Sequence, residues 1–248
     1  EVARRKHIEV FRILADELAQ LGNRLIELPP VVELGSQRVP RLGVVGNGEA
    51  EVLDGFVAVP GARHSQGDGK IEVLEFFAYG CIHCANLEAK LVEWIARQPA
   101  DVKVVRVPGN FQVRGIDSAP IFYTLEAMGL EEKLHQKIFD AANRESVMLG
   151  NPATFNRWLE KQGVDPKKYE EILGSFSVQT RVKRARKMGA DYKVPGTPIF
   201  VVHGRHMVEQ LGPGDASADR LFATIDQLVA DIRAAAKMAP SAAPAKKK

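Results

Sequence analysis

The sequence predicts an α/β protein, and three features indicate this class. The run 70–77 (KIEVLEFF) is β-branched and aromatic and about as long as a core strand. The segment 84–95 directly after it has apolar residues spaced as on an amphipathic helix. Much later, the run 199–202 (IFVV) has the composition of another buried strand. A strand followed at once by a helix, with a distant second strand region, favours a mixed architecture.

Composition and charge fit an ordinary globular protein. Of 248 residues, 45% are hydrophobic and 26% are charged, and the net charge is +3, which suits one domain or two small ones. This charge gives no reason to expect a nucleic-acid partner. The densest basic run, 181–187, contains no aromatic residue and is interpreted as a solvated helix face. No run approaches 18 apolar residues, so we expect no membrane-spanning segment.

The middle of the chain is predicted to hold one more strand and a long helical region. The run 102–107 (VKVVRV) is the strand, ended by Pro108. From about 117 to 192 the pattern is helical, with helix starts at Asn151-Pro152 and Asp165-Pro166. This stretch is too long for a simple crossover, so we predict an inserted helical subdomain at about 115–192. An amphipathic closing helix is predicted at 219–238.

The two ends of the chain are predicted to lie outside the main domain, which we place at 49–238. In residues 1–48, apolar side chains recur every three or four positions from Ile8 to Leu25, which predicts an amphipathic helix and then a linker, of unknown role. This segment has no unbroken apolar stretch, so it is not a secretory signal, and the signal peptide of an exported protein would be absent from this sequence. The Lys-rich tail 239–248 lacks core-forming residues and is expected to be disordered.

The two cysteines of the chain, Cys81 and Cys84, lie together in the motif CIHC. A structural zinc site needs about four ligands. Here only His203 and His206, expected as exposed imidazoles at a hairpin turn, could complete such a set, so this alternative stays open. A structural disulfide with this spacing would close too short a loop to stabilise the fold by much. The favoured interpretation is a redox pair.

The surroundings of Cys81 are those of a reactive thiol. It follows the predicted strand and stands at or near the start of the predicted helix, where free N–H groups and the helix dipole favour a thiolate. His83 can add a hydrogen bond or a positive charge, which would lower the pKa of the thiol further. Cys84 lies one turn into the helix and is expected to be less accessible.

Two further residues have unusual positions. Glu75 is the single carboxylate within the apolar run 73–77, and a buried acid is costly without a partner or a role. An edge-strand glutamate that points to water is the alternative. Pro198 opens the run 199–202, as expected of a proline at the first residue of a strand.

At these residues the chain resembles a known family. VLEFFAYGCIHC followed by a helix, and VPGTPIFVV at 194–202, are similar to the motifs of the DsbA-like thiol:disulfide oxidoreductases of the bacterial periplasm. The resemblance runs from about 51 to about 233 and implies a thioredoxin-like fold with an inserted all-helical subdomain. It also implies that Cys81 attacks, that Cys84 resolves, and that Thr197-Pro198 is the cis-proline loop facing them.

The resemblance implies roles for two more residues. Glu75 would be the buried acid that takes part in proton transfer from Cys84. Ile82 stands where the family most often has proline, and this departure leaves the oxidising strength open. With Thr197 and Pro198, Ile82 is expected to contact substrate.

The function that the resemblance implies is donation of the Cys81–Cys84 disulfide to reduced substrate proteins during oxidative folding in the periplasm. No cofactor beyond this disulfide and no metal is expected, and a DsbB-type membrane protein would reoxidise the pair. A reductase or isomerase on the same fold is one alternative. A non-catalytic module that binds a metal through the cysteines and the two hairpin histidines is another.

Overall fold

The structure is a computed structural model that describes residues 52–53, 56–58, 69–109, 111–210 and 212–238. The predicted N-terminal helix and linker (1–48) and the Lys-rich tail (239–248) lie outside the described residues. Within the described part, no helix combines the length and the apolarity needed to cross a membrane.

The described residues form a six-stranded mixed sheet and a separate two-stranded hairpin. The strands are β1 (Val52–Leu53), β2 (Phe56–Ala58), β3 (Ile71–Phe77), β4 (Val102–Pro108), β5 (Gln112–Val113), β6 (Ile116–Asp117), β7 (Ile199–Val202) and β8 (His206–Glu209). The large sheet has the order β1-β2-β8-β7-β3-β4, and β5 pairs with β6. Strand β3 is parallel to β4 and antiparallel to β7.

One helix links β3 to β4, five lie between the hairpin and β7, and one closes the described chain. They are α1 (Ile82–Ala96), α2 (Ser118–Ala127), α3 (Glu131–Asn143), α4 (Pro152–Lys161), α5 (Pro166–Leu173), α6 (Phe176–Asp191) and α7 (Asp215–Met238). Both predicted Pro starts are real: the side chains of Asn151 and Asp165 accept hydrogen bonds from backbone N–H groups of α4 and α5. Helix α7 begins at Asp215, four residues before the predicted start.

The sheet is covered on both faces, which explains the continuous apolar run in β3, whose seven residues are all buried. On one face, α1 and α7 pack against it, and Trp94 of α1 stacks on Phe222 of α7 with ring centroids 5.2 Å apart. On the other face, the inserted helical region covers Leu74 and Phe76, and Phe76 meets Tyr192, which directly follows α6, with ring centroids 6.0 Å apart. The predicted α/β class with a helical insertion is confirmed. Strand β3 ends at Phe77, four residues before Cys81.

Candidate active site

The turn between β3 and α1 brings the first cysteine to the start of the helix. The N–H of Cys81 donates to the Ala78 carbonyl at 2.9 Å, and Cys81 is the N-cap residue of α1 with extended backbone. Gly80 lies against β5, where a side-chain Cβ would come within 2.3 Å of the Val113 carbonyl oxygen. Only glycine fits this approach, so the turn before Cys81 depends on it.

Cys81 is held in surroundings that favour its thiolate. The pKa of its thiol is lowered to about 5, first by a hydrogen bond from the Cys84 thiol. The Thr197 side chain and the backbone N–H groups of His83 and Cys84 add to this effect, while burial opposes it. When protonated, the Cys81 thiol donates to the Thr197 carbonyl at 3.3 Å. This contact places the proline loop next to Cys81, and the bond between Thr197 and Pro198 in that loop is cis.

Cys84 lies deeper than Cys81, and its surroundings favour the protonated thiol. It is 2% exposed, compared with 8% for Cys81, and both cysteines are free thiols. Burial raises the pKa of Cys84 well above its usual value, and the hydrogen bond to Cys81 and the negative charges of Cys81 and Glu75 raise it further. Near neutral pH the pair therefore consists of a thiolate at Cys81 and a thiol at Cys84 that donates to it.

The two residues between the cysteines face solvent. Ile82 is the first residue of α1 and is 41% exposed. His83 is also exposed, and it supports Cys81 through its backbone N–H. The role that the sequence predicted for the imidazole stays a prediction, and the contact of His83 that lowers the pKa of Cys81 comes from its backbone.

A groove of about 330 Å³ lies beside the cysteines. The described residues that line it come from α1, the proline loop, the end of β8 and the turn before α7: His83, Pro195, Gly196, Thr197, Pro198, Ile199, Glu209, Gln210, Gly212 and Pro213. Thr197 lines this groove, and its carbonyl accepts the hydrogen bond from the Cys81 thiol. An extended segment of a bound protein could therefore lie here with its own sulfur next to Cys81.

Glu75 lies on β3, which is paired on both sides by β7 and β4, and is 2% exposed, so the edge-strand alternative is excluded. Burial raises the pKa of its carboxyl to about 8. The Arg106 guanidinium, whose Nε lies 3.7 Å from Oε2 of Glu75, opposes this shift, while Glu88 and Glu131 reinforce it. Glu75 is also close enough to Cys84 for its charge to raise the pKa of that thiol.

Sequence reasoning missed the charged cluster around Glu75. Arg106 is the β4 neighbour of Glu75 in the parallel register, and its Nη2 lies 2.7 Å from Oε1 of Glu88. Nε2 of His135 is 3.6 Å from the other oxygen of Glu88, and its Nδ1 is 3.0 Å from the Tyr79 hydroxyl. The run 102–107 holds two cations, Lys103 and Arg106, so Arg106 does not stand out as the single charge of its strand in the way that Glu75 does. No pattern in the sequence marks Glu88 or His135 as members of this cluster.

The alternative metal set is not assembled. His203 follows β7 at the far end of the sheet, where its N–H donates to the Glu72 carbonyl, while Cys81 lies beyond the opposite end of β3. Both hairpin histidines are half-buried, not exposed as predicted. Among the described residues, no three or more His, Cys, Asp or Glu side chains are arranged to hold a metal ion.

Comparisons with known sequences agree with this geometry. The family model of the DSBA-like thioredoxin domain matches residues 106–226. The thiol:disulfide interchange protein DsbA of Bordetella parapertussis is 36% identical over 185 residues, which are 75% of this chain and 88% of that protein. The protein of the same name from Pseudomonas aeruginosa is 36% identical over 169 residues, with coverages of 68% and 79%.

Solved structures give the same result. The crystal structure of Pseudomonas aeruginosa DsbA is 32% identical, with a TM-score of 0.67 over 74% of this chain and 95% of that chain. The crystal structure of the oxidoreductase DsbA from Xylella fastidiosa is 30% identical, with a TM-score of 0.65 and coverages of 73% and 96%.

Proposed function

This chain belongs to the DsbA family of thiol:disulfide oxidoreductases, and we propose that it donates the Cys81–Cys84 disulfide to reduced substrate proteins during oxidative folding. The observation that carries the proposal is the opposite shift of the two thiol pKa values, downward at Cys81 and upward at Cys84. A stable Cys81 thiolate favours the reduced form of the pair, and a stabilised reduced form makes the disulfide a strong oxidant.

In the first step, a substrate thiolate attacks the Cys81 sulfur of the disulfide. A substrate–Cys81 disulfide forms, the Cys81–Cys84 bond breaks, and the electron pair goes to the Cys84 sulfur. Because the pKa of Cys84 is raised well above its usual value, this sulfur takes up one proton.

In the second step, another thiolate of the substrate attacks the substrate sulfur of the mixed disulfide. The substrate disulfide forms and Cys81 leaves as a thiolate. Its pKa of about 5 makes it a good leaving group that needs no proton at neutral pH. The substrate has then lost two electrons, which the dithiol now holds.

We assign the proton exchange with Cys84 to Glu75. A buried carboxyl with a pKa of about 8 is mostly protonated at pH 7, so it can give a proton to the leaving Cys84 sulfur. It can take the proton back when the pair is reoxidised. A group whose pKa lies near the working pH is suited to transfer in both directions.

Substrate contact is assigned to Ile82, Thr197 and Pro198. Ile82 offers an exposed apolar surface next to Cys81, while the two loop residues line the groove beside it. His83 assists through its backbone N–H.

We place the protein in the bacterial periplasm, an oxidising compartment in which disulfides persist. A DsbB-type membrane protein would reoxidise the Cys81–Cys84 pair there. The proposed reaction uses no cofactor other than the disulfide, because both electrons pass between sulfur atoms.

Single cysteine variants test the assignment. Cys81→Ser should abolish oxidation of a reduced two-cysteine peptide, because the attacked sulfur is gone. Cys84→Ser should instead accumulate mixed disulfides with substrate proteins, visible on a non-reducing gel. Its Cys81 thiolate can attack a substrate disulfide and release one substrate thiolate, and no Cys84 thiol is present to displace the bound substrate. Trapping by Cys81→Ser and not by Cys84→Ser would reverse the two roles. Efficient peptide reduction by the wild-type dithiol, without peptide oxidation by the disulfide, would favour a reductase.

A further inference from the structure

The described lining of the groove beside the cysteines carries one formal charge. Among the described residues that line it, Glu209 is the only one with a formally charged side chain at neutral pH when histidine is counted as neutral. His83 is the only other titratable side chain in the lining. The proline loop contributes backbone and uncharged side chains, and the turn before α7 contributes glycine and proline.

Glu209 is placed to meet a bound substrate. In the β7–β8 pairing it lies directly opposite Ile199, the residue that follows the cis-proline. Its side chain is exposed, and it makes no hydrogen bond or ion pair with any other described residue. Its charge is therefore available to a group that enters the groove.

Gln210 supplies a second, independent indication of a ligand. Its Oε1 is buried, yet it accepts no hydrogen bond from the described part of the chain. A buried acceptor without a donor is costly, and Gln210 is one of the residues that line the groove. A donor-bearing group from a bound segment would satisfy it.

The charges on neighbouring elements do not neutralise the groove. On α7, Asp215 pairs with Lys90, whose Nζ also lies 2.7 Å from Asp219. Arg205 stands at the β7–β8 turn, at the other end of β8 from Glu209. Among the described residues, none forms an ion pair with Glu209.

We propose that this groove receives a lysine or arginine side chain that lies close to the reacting cysteine of the substrate, and that Glu209 determines this preference. The inference rests on the proposed function, since it concerns the substrates of the same cysteines. Lysine and arginine carry only donors and a positive charge, which match the Glu209 carboxylate and the Gln210 oxygen. The groove volume of about 330 Å³ lies in the range of sites that hold small groups.

The test compares reduced two-cysteine peptides that differ only by arginine, glutamine or glutamate within two residues of the first cysteine, on either side. The rate constant for disulfide transfer from the oxidised protein is measured by stopped flow. A basic neighbour also makes a thiol more reactive in itself, so each rate is divided by that of the same peptide with oxidised glutathione. On at least one side, we expect the normalised ratio of arginine to glutamate peptide to exceed one and to fall about fivefold in Glu209→Gln, the upper end for an exposed ion pair.

Glu93→Gln is the matched control, because Glu93 is an exposed carboxylate on α1 outside the groove lining. It should leave the ratio unchanged, and Glu209→Lys should invert it. An unchanged ratio in Glu209→Gln, or an equal change in all peptides, would overturn the inference, the second because Glu209 would then act on the cysteines. Failure of the wild-type disulfide to oxidise any peptide would instead contradict the proposed function.

Discussion

Cys81 and Cys84 share a turn of helix, yet their surroundings give them opposite protonation states. Cys81 is the N-cap of α1 and Cys84 lies in its first turn. Backbone N–H groups and the Cys84 thiol reach Cys81, whereas burial dominates at Cys84. The sequence predicted the lowered pKa of Cys81 from its place at a helix start. It also predicted that Cys84 would be the less accessible sulfur, which its 2% exposure confirms.

The proton role of Glu75 predicts a pH-dependent defect in Glu75→Gln. The carboxyl pKa, raised to about 8 by burial, keeps Glu75 protonated below that value and lets it supply the proton to Cys84. Glutamine cannot do so, and we expect disulfide transfer to a reduced peptide to slow by about tenfold or more at pH 7. The difference in rate between the wild type and Glu75→Gln should narrow as pH rises through about 8, because the wild-type carboxyl then also lacks the proton.

Stopped-flow rates from pH 6 to pH 9 check this prediction, with Glu93→Gln as the control for loss of a carboxylate. A rate loss of the same size at every pH would mean that Glu75 positions other groups and does not exchange the proton.

At the scale of secondary-structure elements, the N-terminal end of α1 is the part of the fold that lowers the pKa of the Cys81 thiol. The donors that reach Cys81 are the backbone N–H groups of His83 and Cys84, while Ile82 occupies the first helical position. Proline fits that position, because its fixed φ is helical and the first N–H has no partner within the helix.

Ile82→Pro should therefore fold normally and shift the equilibrium with glutathione toward the reduced protein. The ring restricts the helix start and holds the two N–H donors in place around the thiolate. The equilibrium constant is measured by quantifying the reduced and oxidised protein in glutathione buffers. A constant equal to that of the wild type would show that this position does not tune the pair.

The elements differ in how far the sequence predicted them. Strand β3, helix α1 and the capped starts of α4 and α5 follow from local patterns, and the structure has them. The sequence did not predict the cluster of Arg106, Glu88 and His135. These residues lie on β4, α1 and α3, and no local pattern indicates that these three elements are neighbours. The proline loop was placed opposite Cys81 by family resemblance alone, since local patterns say nothing about contacts between residues this far apart.

At the scale of the whole molecule, the Cys81 thiolate links redox state to stability. Its folded pKa of about 5 lies below an unfolded value of about 8.5. A depressed pKa stabilises the folded dithiol fully above the unfolded value, and the gain is lost as pH falls through the folded value. At pH 7 the gain is at most about 2.7 kcal/mol, and near pH 4 it is almost gone.

Denaturant melts of the dithiol and disulfide forms at pH 7 and pH 4 should reveal this link. The disulfide closes a very short loop and adds at most about 2 kcal/mol to the oxidised form, independently of pH. Glu75 is buried in the sheet and contributes to both forms. We therefore expect the dithiol to be the more stable form at pH 7 and to lose this lead toward pH 4. A difference between the two forms that does not change with pH would mean that Cys81 is not a thiolate at pH 7.

The redox potential of the Cys81–Cys84 pair, measured by its equilibrium with glutathione at pH 7, tests the central claim most directly. An oxidant that donates its disulfide must have a less negative potential than its products, and a thiolate at Cys81 moves the potential in that direction. We expect a value less negative than about −180 mV, the potential of protein disulfide isomerase. A value near −270 mV, the potential of thioredoxin, would contradict disulfide donation and identify the pair as a reductant.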